Sequence, residues 1–278
     1  MNECVAGGSL AWSTLLQSAI ARGEIALPGL PDLALRVRQA IASESATLDS
    51  LARLIAADAV LTTRIMKVVN AAALRRATPV SRLDRAIGAL GFNLTNSLVT
   101  GLCLLRQTER YSGAVGERLR AHHEHAIEVA AIAHYLAQST PGLDEQEALL
   151  AGLIHDIGAL PVFAFAARQS ELARDAAALD GLVARHHPSF GARILVEWHF
   201  PERFVAVAAE HEHADRRHEG PTDLLDVVIA ANLQSRQRVQ CMEVDAPALE
   251  RFNLIADPLA GRDGARAAIE ALHRTLVA

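Results

Sequence analysis

Residues 120–138 read RAHHEHAIEVAAIAHYLAQ, and this pattern indicates a helix with one buried face. At about 100° per residue, five side chains share that face: His122, His125, Val129, Ile132 and Leu136. A solvated histidine would not follow the apolar side of a helix, so we expect His122 and His125 to point inward. A core histidine that bonds to a backbone carbonyl is the common explanation, and a functional site is the alternative.

The rest of the chain has the composition of a helical protein. Aromatic residues make up only 4% of the sequence, and the strict alternation that is typical of strands is hard to find. Apolar side chains recur every three or four residues over 33–41, 48–55 and 61–68. Asp58 is a suitable N-cap for the last of these segments. We therefore predict an all-α protein.

Length and charge exclude several classes of protein. The 278 residues, 51% of them hydrophobic, suffice for one large domain or two small ones. With 27 basic and 32 acidic residues the net charge is −5, so charge alone does not favour binding to nucleic acid. Three cysteines far apart in the sequence predict a reducing compartment. We see neither a secretory signal nor an uninterrupted apolar run of about 18 residues, and we expect a cytoplasmic protein without membrane contact.

The histidines are distributed unevenly along the chain. A charged, glycine-containing stretch over 108–120 interrupts the apolar pattern and predicts a boundary between two helical parts. All 12 histidines lie at or after His122. Any chemistry of this protein is therefore expected in the second part.

The segment EQEALLAGLIHDIG, residues 145–158, predicts a helix that ends near its last residue. His155 and Asp156 would lie in its last turn, where a carboxylate opposes the helix dipole at a cost of about 0.3–1 kcal/mol. A half-buried carboxylate in that place needs a cation, which is either an arginine or a metal ion. Gly152, one turn earlier, would allow another helix to approach closely.

Three more segments present polar side chains on apolar faces. In ARHHPSFGARILVEWHFP, residues 184–201, Pro188 suits the first position of a helix, which predicts His187 as its N-cap. In ERFVAVAAEHEHAD, residues 202–215, His211 continues an apolar face of the predicted helix. Asn232 likewise shares a face with apolar side chains of the last predicted helix in this region.

Four helices or helix ends are thus expected to present five residues inward: His125, His155, Asp156, His187 and His211. Imidazoles together with a carboxylate suit a divalent ion such as Mn, Fe or Zn. Such an ion can lower the pKa of a bound water and polarise a phosphoryl oxygen. The spacing between these residues is too long for a local zinc motif, so the site would form only in the folded chain.

The sequence resembles the HDOD family of bacterial signalling proteins, which are related to the HD-domain metal-dependent phosphohydrolases. The similarity covers residues 25–238. Five segments carry it: LPGLPDLALRVRQAI (27–41), LDSLARLIAADAVLTTRIMKVVNAA (48–72), ATPVSRLDRAIGALGFNLTNSLV (77–99), GLIHDIG (152–158) and HPSFGARILVEWHFP (187–201).

The resemblance implies a multi-helix fold in which an N-terminal helical subdomain packs on a degenerate HD-like core. We accordingly expect an N-terminal extension over 1–24, the first subdomain over 25–112, and the HD-like subdomain with a closing helix over 113–278. It also implies a regulatory function in signal transduction, exerted through protein partners or a bound ligand such as a nucleotide.

The resemblance assigns the metal ligands of HD enzymes to the five inward residues named above. Two positions depart from the enzyme pattern. Asn232 stands where the last ligand is normally an aspartate, and Ala159 stands where many phosphodiesterase relatives carry a phosphate-binding lysine. A neutral amide binds divalent ions more weakly than a carboxylate does. These departures favour a protein without catalytic activity.

The alternative is an active metal-dependent phosphohydrolase that acts on a nucleotide or a cyclic dinucleotide. Five retained ligand-type residues favour it, because an abandoned site has no physical need for so many inward histidines. In such an enzyme, His122 or His186 would be the proton donor.

Overall fold

The structure is a computed structural model, and every element in the part of the chain that it describes is a helix. The all-α prediction is therefore confirmed. The described residues are 2–70, 79–106, 111–237, 246–254, 259 and 263–277.

Five helices precede the predicted boundary: α1 (Asn2–Ala21), α2 (Asp32–Ala42), α3 (Leu48–Ala56), α4 (Ala59–Asn70) and α5 (Leu83–Arg106). The helices predicted over 33–41, 48–55 and 61–68 are confirmed as α2, α3 and α4. Asp58 caps α4 as expected, since its carboxylate accepts a hydrogen bond from the backbone N–H of Leu61 at 3.0 Å.

The remaining helices are α6 (Gly113–Gln138), α7 (Glu145–Ile154), α8 (Ala159–Ala166), α9 (Ser170–Arg174), α10 (Ala176–Glu197), α11 (Glu202–Glu210), α12 (Leu224–Gln237), α13 (Pro247–Arg251) and α14 (Asp263–Val277). The long helix α6 contains the histidine-rich segment quoted first. It begins inside the stretch 108–120 where the charges and glycines predicted a boundary.

Two predicted helix ends are wrong. The helix over 145–158 ends at Ile154, and a turn over 155–158 separates it from α8. The predicted start at Pro188 is also incorrect, because α10 runs through this proline. Buried side chains on both sides of Pro188, among them Leu182 and Ile194, hold α10 in one piece despite the missing backbone donor.

Two groups of buried side chains form the core. The larger group is continuous from α2–α5 to α6, α7 and α10–α14, so the two predicted subdomains share one core. The smaller group lies beneath α1, where Leu16 and Ala19 pack with side chains of α8 and α10. The closing helix α14 packs on α6 and α4.

Two glycines allow the closest approaches in the second half of the chain. A Cβ atom on Gly152 would lie 2.4 Å from the Cα of Ala130, so α7 crosses α6 at backbone contact, as the sequence predicted. A Cβ on Gly158 would lie 1.9 Å from the carbonyl oxygen of His187 in α10. These contacts bring α6, the turn 155–158 and α10 to one point.

The first helical part holds the far end of α10 through Arg38 of α2. Its guanidinium donates hydrogen bonds of 2.6 Å to the carbonyls of Trp198 and His199 and stacks on the ring of Phe200. Trp198 is buried, and its indole N–H donates to the carbonyl of Pro28. This end of α10 is therefore fixed by polar contacts as well as by packing.

Two segments are long and apolar enough to cross a membrane by length and composition, Leu83–Cys103 and Glu145–Ala166. They are more apolar than we expected from the sequence. Within the protein, however, 67% of the first segment and 83% of the second are buried. The turn 155–158 also interrupts the second segment, so burial in the core accounts for its composition.

Candidate metal centre

Asp156 lies in the turn between α7 and α8, and its carboxylate is buried with 5% exposure. Five imidazole Nε2 atoms surround it, at 3.0 Å for His211, 3.2 Å for His187, 3.2 Å for His122, 3.3 Å for His155 and 4.0 Å for His125. We call these six residues the Asp156 cluster. The five inward residues predicted from the sequence therefore do come together.

Three of these histidines have a fixed tautomer. Their Nδ1 atoms donate to carbonyls three or four residues earlier: His155 to Gly152 (2.7 Å), His187 to Val183 (2.9 Å) and His211 to Val207 (2.9 Å). A carbonyl only accepts, so Nδ1 carries the proton, and in the neutral ring Nε2 presents a lone pair to Asp156.

His125 reaches the same tautomer through two other side chains. Its Nδ1 lies 3.2 Å from the hydroxyl of Ser235, which in turn donates to a carboxylate oxygen of Glu128 at 2.9 Å. Because a carboxylate only accepts, the serine proton points to Glu128 and the Nδ1–H of His125 points to Ser235. Such partners behind a ring nitrogen are typical of metal-binding histidines.

Lone pairs that face a carboxylate repel it, so this arrangement requires a cation. Within the described part of the chain, the buried atoms without a hydrogen-bond partner include Nε2 of His122 and Nε2 of His155 in the cluster, and Oδ1 of Asn232 on α12. Unpartnered nitrogen and oxygen atoms of this kind are the donor set of a Mn, Fe or Zn ion. The residues present therefore fit a divalent metal.

Protonation of the cluster points to the same need for positive charge. Burial alone would raise the pKa of Asp156, but His155, His122 and the hydrogen bonds from the cluster hold it well below its usual range. Burial lowers the pKa of His211, yet its hydrogen bonds to Asp156 and Glu212 outweigh this and raise it to about 9. A proton on His211 thus occupies the place that a metal ion would take.

Glu212 is a site residue that the sequence analysis missed. Its carboxylate lies 3.4 Å from Nε2 of His211 and 3.7 Å from Nε2 of His187. The ligand atoms form two groups, which share Asp156: His125, His155 and Asp156 in one, and Asp156, His187, His211 and Glu212 in the other. Within each group all ligand atoms lie within 4.8 Å of one another, so the centre has room for one or two ions.

The model of the HDOD domain family matches residues 27–214 of this chain. The chain belongs to the HDOD family. The matched region begins in the segment before α2 and ends just after α11, so it contains the whole Asp156 cluster. None of the curated proteins compared with this HDOD chain matches it.

Solved structures share the fold of this HDOD protein. A protein of Shewanella amazonensis, provisionally described as a metal-dependent phosphohydrolase, superposes with a TM-score of 0.85 at 22% identity over 97% of this chain and 99% of its own. An HDOD domain protein of unknown function from Geobacter sulfurreducens has a TM-score of 0.64 at 19% identity, over 94% and 98% of the two chains. At these identities the similarity establishes the fold alone.

A third solved structure comes from Marinobacter aquaeolei and is provisionally described as a signal transduction protein. It has a TM-score of 0.59 at 20% identity and matches 97% of this HDOD chain but 66% of its own length. The same helical arrangement thus also occurs as one part of a larger protein.

Two further sequence predictions concern histidines that were considered as proton donors. His122 lies in the Asp156 cluster and lines the cavity beside it, so that role stays a prediction. His186 lies elsewhere: it is buried against α1, where it bonds to the hydroxyl of Ser13 and stacks on Phe190. Adjacent side chains of the continuous helix α10 diverge by about 100°, so only His187 reaches Asp156.

A third group of candidate metal ligands is already neutralised. Arg216 bonds to both Asp223 (2.7 Å) and the buried Asp226 (2.8 Å), and His218 bonds to Asp226 at 2.8 Å. Arg251 approaches the same carboxylate at 3.6 Å. This cluster joins the segment after α11 to α12 and α13, and its two aspartates belong to neither of the ligand groups that contain Asp156.

A cavity of about 500 Å³ opens onto the Asp156 cluster. Asp156, His122, His125 and His187 line it, together with Glu212. This volume is within the range of small-molecule sites, about 300–1,000 Å³. A small ligand can therefore reach the metal centre.

Proposed function

We propose that this HDOD protein is a signal-transduction regulator that binds a divalent metal ion at the Asp156 cluster and a small phosphorylated ligand in the adjoining cavity. The observation that carries the proposal is the cavity of about 500 Å³ that ends at a buried carboxylate surrounded by imidazoles. An anion-binding metal at the end of a cavity is a suitable receptor for a phosphate group.

Asp156, His187, His211 and Glu212 would hold the first ion, and His125 with His155 would complete a second position beside Asp156. When bound, a Mn, Fe or Zn ion would supply charge that polarises a phosphoryl oxygen and lowers the pKa of water. Two carboxylates balance one divalent ion but leave two ions undercompensated. One ion is therefore expected to bind tightly and a second one weakly.

Two features favour regulation over catalysis. Asn232 supplies a buried amide where the enzymes supply a carboxylate. Ala159 is fully buried and carries no charge that could contact a phosphate. The protein would then bind its ligand without turnover and act on a signalling protein partner. We place this function in the cytoplasm, with neither nucleic acid nor a membrane as partner.

The second candidate function is hydrolysis of a nucleotide or cyclic dinucleotide. Glu212 favours it, because this residue restores a second carboxylate to the centre. In that case His122, whose Nε2 lies 3.2 Å from Asp156 at the cavity wall, would hold the proton for the leaving group.

The experiment that separates the two functions combines binding with turnover. Purified protein loaded with Mn²⁺ is incubated with a panel of nucleotides, cyclic dinucleotides and the chromogenic diester bis(p-nitrophenyl) phosphate. We expect ligand-dependent thermal stabilisation without product, and loss of that stabilisation in Asp156→Asn, which removes the carboxylate shared by both ligand groups. Metal-dependent product formation, abolished by the same substitution, would establish the hydrolase instead, whereas neither binding nor product would refute both.

A further inference from the structure

Arg118 occupies the same face of α6 as two histidines of the metal centre. It precedes His122 by four residues and His125 by seven, and all three side chains line the cavity. At 1.5 Å of rise per residue, Arg118 lies along the helix about 6 Å from His122 and about 10 Å from His125. The guanidinium and the Asp156 cluster therefore line the same cavity, one to two helical turns apart along α6.

The charges at the cavity wall make Arg118 distinctive. The residues that line the cavity include three carboxylates, of Asp156, Asp180 and Glu212, and Arg118 is the one arginine or lysine among them. Arg118 forms an ion pair with Asp180 of α10, whose side chain is 63% exposed. An ion pair with an exposed carboxylate is weak, so an incoming anion can readily replace Asp180.

The remaining wall is apolar. Phe163, Val183 and Ala184 line the same cavity as the charged side chains. Such a surface suits a sugar or a base, whereas a metal ion and a guanidinium suit phosphate oxygens. Ala159 is buried and carries no charge, so it cannot bind a phosphate group beside the one at the proposed metal ion.

We infer that Arg118 binds a phosphate group of the ligand, and that the ligand is a nucleotide with a second phosphate at the metal centre. A guanidinium binds phosphate through two parallel hydrogen bonds, which an ammonium group cannot reproduce. The inference rests on the proposed function and adds to it the chemical class of the ligand and the residue that selects it.

The test measures binding of GDP and ADP to the Mn²⁺-loaded full-length protein by isothermal titration calorimetry. Arg118→Ala is expected to weaken binding by about ten- to a hundredfold, since a charge-assisted hydrogen bond is lost. Asp180→Asn removes the competing carboxylate and is expected to strengthen binding by about twofold or more. Arg120→Ala is the matched control, because Arg120 is exposed on the same helix and does not line the cavity.

The outcomes separate the inference from the proposed function when metal content is measured in the same samples. Equal affinity of Arg118→Ala and the wild type, or no binding of either diphosphate by the wild type, would overturn the inference. If metal-free wild-type protein still binds GDP or ADP, and Arg118→Ala weakens that binding, the proposed metal site alone is refuted. If Arg118→Ala does not fold, Arg118→Lys keeps the charge and is expected to lose about tenfold in affinity.

Discussion

Gly158→Ala is the substitution that most directly tests how the fold assembles the metal centre. The backbone of Gly158 has φ −69° and ψ −8°, which any residue can adopt, so only the available space opposes alanine. The new Cβ would lie 1.9 Å from the carbonyl oxygen of His187 and 2.3 Å from the backbone nitrogen of Gly191. Both are backbone atoms, so no side-chain rotation can relieve the clash.

Relief of this clash requires α10 to move away from the turn 155–158 by about 1.5 Å, the difference from an ordinary 3.4 Å contact. Nε2 of His187 would then leave Asp156, from which it now lies 3.2 Å away. Overpacking of a core costs about 1–3 kcal/mol, which in a chain of this size corresponds to a fall in Tm of about 3–10 °C. Metal affinity should fall by about tenfold or more.

The assays are thermal unfolding followed by circular dichroism and metal titration against a chelating dye. Gly181→Ala is the matched control, because a Cβ at this position of α10 meets no atom within 4 Å. Alanine there should stabilise the helix by about 0.5–1 kcal/mol and leave metal affinity unchanged. If Gly158→Ala melts and binds metal like the wild type, the close contact between this turn and α10 does not position His187.

Three further substitutions test separate parts of the structure. Asn232→Asp adds a carboxylate to the centre and should raise metal affinity by about tenfold, measured by competition with a chelating dye; no change would remove Asn232 from the ligand set. Asp226→Asn removes the buried carboxylate that pairs with Arg216, His218 and Arg251 and should lower the free energy of unfolding by about 3 kcal/mol in a urea titration, and a loss below about 1 kcal/mol would contradict this. Arg38→Ala removes the donors to the carbonyls at Trp198 and should cost about 1.5 kcal/mol in the same assay, whereas an unchanged midpoint would show that packing alone holds this end of α10.

Helical periodicity was sufficient to predict which polar side chains face inward. His122 and His125 on α6 and Asn232 on α12 follow the apolar face of one regular helix, and a constant rotation per residue places them correctly. The composition and these faces together gave the fold class. The long-range packing that brings the faces to Asp156 could not be read from any local pattern.

The residues that sequence reasoning misplaced lie where a helix ends or continues unexpectedly. Glu212 is 100° away from His211 on a regular helix, but α11 ends at Glu210 and the following turn brings both side chains to one side. Pro188 predicted a helix start with His187 as its N-cap. Packing carries α10 through the proline instead, so His186 and His187 are neighbours on one continuous helix and their side chains diverge.

The measurement that tests the account most directly is the metal content of untagged protein purified without chelator, determined by elemental mass spectrometry. We expect about one equivalent of Mn, Fe or Zn in the wild type, with a second equivalent only at high metal concentration, and loss of both in Asp156→Asn, because Asp156 belongs to both ligand groups. The His186→Ala variant, altered outside the cluster, should retain the metal. Folded wild-type protein that takes up no divalent metal would contradict the assignment of the Asp156 cluster as a metal centre.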